Sequence, residues 1–111
     1  MKVKEIMKLL DASMLCGDDK LDMDVEGAFA SDFMSDILAY VTDQKLLLTG
    51  MINPQVIRTA EMVDMHVILF VRGKMPDENM LRLAEDSDIA VLSTKNLMYT
   101  SCGILYENGV R

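Results

Sequence analysis

Apolar residues recur along this chain in two rhythms, one helical and one extended. Val3, Ile6, Met7 and Leu10 follow the i, i+3, i+4, i+7 spacing with lysine and glutamate between them, which predicts a short amphipathic helix. Met14-Leu15-Cys16 reads as a short strand stopped by the polar turn Gly17-Asp18-Asp19-Lys20, and a second strand is expected over Val25–Ala30. Ser31 or Asp32 then stands where a helix N-cap belongs, ahead of an apolar face of Phe33, Met34, Ile37, Leu38 and Val41. Lys45–Thr49 predicts a strand ending at Gly50. Asn53-Pro54 is a strong helix start, because asparagine caps and the missing N–H of proline is harmless in the first turn. Val56, Ile57, Ala60 and Val63 supply that helix's buried face. Val67–Val71 is uninterruptedly apolar, as a central parallel strand covered on both faces must be. After Arg72-Gly73-Lys74, Pro76 with Asp77 and Glu78 opens a further helix that turns Met80, Leu81 and Ala84 inward. Ala90–Ser93 is the next buried strand. The last helix is expected to start near Asn96 and to end near Asn108-Gly109, where glycine favours the stop.

From residue 45 onward, strand and helix alternate three times. Right-handed crossovers then give an α/β fold with a central, mostly parallel sheet flanked by helices on both sides. The first 44 residues extend or edge that sheet. Leu47, Ile57, Ala60, Ile68, Phe70, Leu81, Val91 and Leu105 are the expected core. At 111 residues, with half of them apolar and no low-complexity stretch or linker, the chain (1–111) reads as a single domain.

Charge narrows the choice of partners. Eleven basic residues against 18 acidic ones leave −7, without the clustered Lys and Arg that a nucleic acid or an anionic membrane requires. Nine acids and one base lie between Asp11 and Asp43, so one edge or face is expected to be acidic. Cys16 and Cys102 are too isolated for a metal motif and are expected to be reduced. No apolar run suits a signal peptide or a bilayer span, and together these features point to the cytoplasm.

Catalytic patterns are missing at the level of sequence. Asp22, Asp24 and Glu26-Gly27 imitate the opening of a calcium loop, but the twelfth position, which needs a bidentate glutamate, is Phe33. His66 is the only histidine and has no nucleophile or zinc spacing around it, so it reads as structural. No phosphate-loop or dinucleotide fingerprint occurs, and Gly73-Lys74 matches only two residues of one. No metal, cofactor or catalytic residue is therefore expected. What remains is the set of loops after the strands, where ligands bind in open parallel sheets. It comprises Ser31, Asp32, Thr49, Gly50, Asn53, Arg72, Gly73, Lys74, Ser93, Thr94 and Lys95, a candidate site for an anion or nucleotide.

Several stretches in order resemble the DRTGG domain family. They are Gly27-Ala28-Phe29-Ala30-Ser31-Asp32, Leu47-Leu48-Thr49-Gly50 followed by Asn53-Pro54-Gln55-Val56-Ile57-Arg58-Thr59-Ala60, Val71-Arg72-Gly73-Lys74, and Leu92-Ser93-Thr94-Lys95 with Cys102-Gly103-Ile104-Leu105-Tyr106. The Asp-Arg and Thr-Gly-Gly strings that name the family do not occur in full. Thr49-Gly50 and Arg72-Gly73 stand at strand ends in their place. The resemblance implies a fold similar to the N-terminal domain of HPr kinase/phosphatase, a non-catalytic α/β unit. Other members accompany cystathionine-β-synthase-type repeats in pyrophosphatases, or amidoligase-like modules in phosphate acetyltransferases. That company implies a regulatory or interaction role with a regulatory or enzymatic partner protein, and not catalysis. The alternative is a small-molecule sensor for a nucleotide or phosphometabolite.

Self-association is also expected. Eleven methionines, with Met23, Phe33, Met34, Met51, Met75 and Met98 in excess of what the core needs, suit an adaptable two-fold interface. The acidic segment would repel its own copy, so the contact of the homodimer is placed beyond residue 44, especially at the loop Gly50–Asn53.

Overall fold

A computed structural model describes all of residues 1–111. Helix α1 (Val3–Leu10) leads into β1 (Ser13–Cys16), a 3₁₀ turn over Asp18–Lys20 and β2 (Ala28–Ala30). Then follow α2 (Met34–Tyr40), β3 (Leu46–Thr49), α3 (Pro54–Met62), β4 (Val67–Phe70), α4 (Glu78–Asp86), β5 (Ala90–Ser93) and α5 (Met98–Glu107). The strands form one sheet in the order β1-β5-β4-β3-β2. All pairs among β2 to β5 are parallel, as expected, and β1 lies antiparallel on β5 at one edge. No helix is long and apolar enough to cross a membrane.

Side chains on successive strand residues point to opposite faces, and this divides the core in two. Leu46, Leu48, Val67, Leu69, Ala90 and Leu92 face α1 and α5. Leu47, Ile68, Phe70 and Val91 face Ile37 of α2, Val56, Ile57 and Ala60 of α3, and Met80 and Ala84 of α4. The three helices between parallel strands therefore all lie on one face, as right-handed crossovers in sequential order demand. The first and last helices cover the other. A bulge in β1 between Met14 and Cys16 breaks the alternation, so Leu15 and Cys16 both turn toward the α2–α4 side. Gly17, at φ 92°, lets the chain leave β1 against the Ala90 backbone, where a Cβ would collide.

Four local expectations are corrected. The segment expected as one strand from Val25 pairs with β3 only over Ala28–Ala30. Val25 instead bonds to the carbonyl of Met1 beside a Lys2–Asp24 bridge, and is buried under α1. Neither Ser31 nor Asp32 caps α2: Phe33 occupies the N-cap and, like Leu38, faces solvent. The last helix begins at Met98 rather than Asn96, whose side chain reaches back to α1. Leu81 is only half-buried, because Met80 and Ala84 aim α4 at the sheet and leave Leu81 at the rim; the other seven expected core residues are buried. Of the surplus methionines, Met23, Met34 and Met98 pack against the two cores, leaving Met51 and Met75 exposed.

Candidate functional site

Because β2 to β5 run parallel, all four loops with the eleven candidate residues emerge along one rim of the sheet. Hydrogen bonds join them into a continuous band. Asp32 Oδ1 accepts from the Gly50 N–H at 2.7 Å and the Thr49 hydroxyl at 3.0 Å, tying the end of β2 to the end of β3. Thr49 Oγ1 in turn accepts from the Met51 N–H. The Arg72 guanidinium crosses from β4, donating to the Gly50 carbonyl at 3.5 Å and standing 3.8 Å from Asp32. It lies so close over Gly50 that a Cβ there would run into it.

Arg72 holds φ at 62°, the left-handed region, and is pinned there by its N–H to the Asn96 carbonyl and by the Gly73 N–H to the Thr94 carbonyl. The loops after β4 and β5 are thus strapped together. Ser93 Oγ donates to the Lys74 carbonyl at 2.9 Å. Thr94 Oγ1 and Asn96 Nδ2 both donate to the carbonyl of Leu10, at 2.7 and 3.0 Å, closing the C-terminal end of α1. Asn96, which the sequence offers only as a helix start, thus closes a helix that ends 86 residues earlier, a use that leaves no local signal.

The candidate residues therefore divide by what their polar groups already do. Asn53 accepts the Gln55 N–H and caps α3, as its sequence context suggested. Ser31 accepts the Phe33 N–H. Asp32, Thr49, Ser93 and Thr94 close the rim. Lys74 and Lys95 remain exposed, outside all six ion pairs of the fold, and Arg72 has only its two long contacts. Beside these cations, Asp11, Ser13, Gly73, Met75, Ser93, Thr94 and Lys95 line a cleft of about 370 Å³. Its position has a topological cause. The chain leaves β4 toward α4 on one face and leaves β5 toward α5 on the other, so beyond the bonded loops the two helices diverge at the carboxyl ends, where open α/β sheets bind ligands.

A second polar cleft of about 440 Å³ opens at the opposite rim, lined by Leu15 to Lys20 with Glu85, Asp88 and Ile89. Its chemistry is a closed structural staple. Lys20 is buried, and its ammonium is clamped by Asp88 and Asp19. Burial works against that charge, but the two carboxylates outweigh it and hold Lys20 above its ordinary range, while Lys20 holds Asp88 below the usual carboxylate range. Lys45 does the same for Asp64, which also pairs with His66 Nε2 at 3.0 Å. Cys16 and Cys102 are both free thiols. They lie on opposite faces of the sheet, and burial raises both above the ordinary thiol range. No group of His, Cys, Asp and Glu side chains is placed to hold a metal ion.

The fold matches a solved structure, the CBS and DRTGG domains of the regulatory region of a Clostridium perfringens pyrophosphatase complexed with its activator, diadenosine tetraphosphate. The TM-score is 0.77 at 11% identity, over 94% of this chain and 45% of that one. The chain thus spans less than half the length of that structure. No curated protein matches in sequence. The DRTGG domain family model matches residues 5–107. A match over that span, on a fold that supplies strand-end loops where the family-like motifs stand, assigns the chain to the DRTGG domain family.

Proposed function

We propose that this chain is a non-catalytic regulatory or interaction module that works in the cytoplasm as a homodimer. The observation that carries the reading is the pair of apolar helix faces left in solvent beside the β2 edge. Phe33, Leu38 and Tyr40 are exposed on and around α2, and Leu97, Tyr99 and Tyr106 on and around α5. Exposed aromatic surface grouped on helices marks contact with another protein. The pyrophosphatase structure agrees, because its DRTGG unit belongs to a regulatory region. Sedimentation equilibrium at micromolar concentration tests the self-association: a species of twice 12.5 kDa is expected, and a clean 12.5 kDa species sinks it.

The cleft at the carboxyl ends of β4 and β5 favours a second reading, a sensor for a small anion such as a nucleotide or phosphometabolite. In an acidic chain, Lys95 lines this cleft with its ammonium outside every ion pair, and Arg72 and Lys74 flank the lining residue Gly73 in sequence; charged side chains of this kind read phosphate oxygens. The neighbouring structure's activator is itself a nucleotide. Thermal shift with pyrophosphate, ATP and diadenosine tetraphosphate tests it. A ligand present at about 100 times its Kd adds about 2.7 kcal/mol. Stabilisation that disappears in Lys95→Glu supports the sensor, and no shift with any of the three refutes it.

A further inference from the structure

The two exposed helix faces differ in charge, and the difference selects one of them. Helix α2 lies within Asp11–Asp43, where nine acids meet one base, so two copies meeting there bring like charges together. Residues 97–111 carry one acid, Glu107, and one base, Arg111, and Arg111 is folded back over the Tyr106 ring at 5.0 Å. In a chain of net −7, this is an apolar surface that a second copy can approach without repulsion.

Helix α5 also differs from the other helices in its pattern. It buries Ser101 and Leu105 toward the sheet, yet places Tyr99, Gly103 and Tyr106 along its outer side at i, i+4 and i+7, with Tyr99 90% exposed. A helix apolar on both sides belongs inside something larger than this fold. Gly103 is unexplained by the chain itself. It sits in the helix interior, where glycine costs about 1 kcal/mol against alanine, and a Cβ there would meet nothing within 4 Å. Missing side-chain volume between two exposed tyrosines makes a notch through which another helix backbone can approach closely.

We propose that α5 is the two-fold interface of the homodimer, with two copies crossing antiparallel at Gly103. The proposal rests on the homodimer reading above and names its surface. The spacing is self-complementary. Tyr99 stands four residues before Gly103 and Tyr106 three after, so a two-fold axis at the notch lays each Tyr99 beside the partner's Tyr106. The antiparallel arrangement brings the partner's Glu107 toward the N-terminal end of α5, where a negative charge is favoured by the helix dipole. An apolar groove of about 140 Å³ between α5 and β2, lined by Phe29, Leu48, Cys102 and Leu105, continues the same surface to the sheet edge.

Sedimentation equilibrium of the full chain and of Gly103→Arg decides it. The arginine enters open space and replaces a poor helix former, so the fold itself has no reason to suffer. The wild type is expected to sediment as a dimer, with Kd raised about thirtyfold or more in Gly103→Arg. Met51→Asp, in the loop after β3, is expected to leave the dimer unchanged. Tyr99→Asp, at the most exposed aromatic, supplies an independent arm should Gly103→Arg misfold by circular dichroism. A dimer that survives either substitution at full strength overturns the α5 interface and leaves the homodimer reading standing. A wild type that is monomeric at micromolar concentration overturns both.

Discussion

Replacing Asp32 with alanine separates a rim clamp from a helix cap. One carboxylate oxygen takes both the Gly50 N–H at 2.7 Å and the Thr49 hydroxyl at 3.0 Å, and both donors are buried. Hydrogen bonds to an ionised acceptor are worth about 1.5–3 kcal/mol each. The Asp32 side chain is 37% exposed, so water can reach part of the vacated space, and the lower end applies to each bond. The 3.8 Å approach of Arg72 adds no more than about 1 kcal/mol. The expected loss is thus about 3 kcal/mol, or about 12 °C in Tm for a domain of this size. Asp32→Asn keeps an acceptor oxygen without its charge and should lose about half as much. Urea melts followed by far-UV circular dichroism measure both. Were Asp32 acting as the cap of α2, alanine would cost about 1 kcal/mol and asparagine almost nothing. That result, or a loss below about 0.5 kcal/mol for alanine, refutes the clamp.

Four further outcomes follow from the packing and the charges. Phe70→Ala, at a fully buried position between the sheet and the α2–α4 layer, should cost about 3–5 kcal/mol in a denaturant melt. Ser101→Ala should raise Tm, because the Ser101 hydroxyl is buried without a hydrogen-bond partner and its removal relieves a desolvation cost of about 1 kcal/mol or more. The carboxylates of Asp64 and Asp88 titrate lower in the fold than in the unfolded chain, so their stabilisation is present above about pH 4 and lost as pH falls through their folded pKa values. Lys20 titrates higher, so its share is present below about pH 10 and lost as pH rises through its folded value; Lys20→Met should flatten both limbs of a stability–pH curve. Reductant should leave Tm unchanged, since Cys16 and Cys102 are separated by the sheet, and a drop of several degrees would contradict that separation.

Most of the sheet was legible because burial on both faces leaves a mark that depends on neighbours in sequence alone. Val67–Phe70 and Ala90–Ser93 can be read as central strands from their own composition, and Asn53-Pro54 starts α3 by chemistry confined to a few residues. The misses share the opposite property. Lys20 sits in a polar turn, and nothing near it announces that Asp88 will clamp its ammonium. Phe33 and Leu38 fit a buried helical spacing, yet α2 turns only Ile37 fully inward, because the sheet ends at β2 and offers no surface for a wider face. The three residues of β2 and the antiparallel direction of β1 depend on partners that no local pattern encodes.

The rim explains why a candidate ligand site is harder to read than a core. Polar residues after parallel strands serve two competing needs. They satisfy the backbone groups of tight loops, and they present donors to a ligand. Both needs select serine, threonine, asparagine and aspartate at the same positions, so residue type alone cannot separate them. The hydrogen bonds do separate them. Thr49 is spent on Asp32, Ser93 on the Lys74 carbonyl and Thr94 on the Leu10 carbonyl, and a group bonded inside the fold must lose that bond before it serves a ligand. Arg72, Lys74 and Lys95 carry charge beyond what the loops use. Of the eleven candidates, the Lys74 and Lys95 side chains can change a ligand's affinity without first destabilising the rim, and Arg72 has only its two long contacts to give up. Lys95→Glu is expected to act on binding, and Thr94→Val on stability, because it removes the shorter of the two hydrogen bonds that Thr94 and Asn96 give to the Leu10 carbonyl at the end of α1.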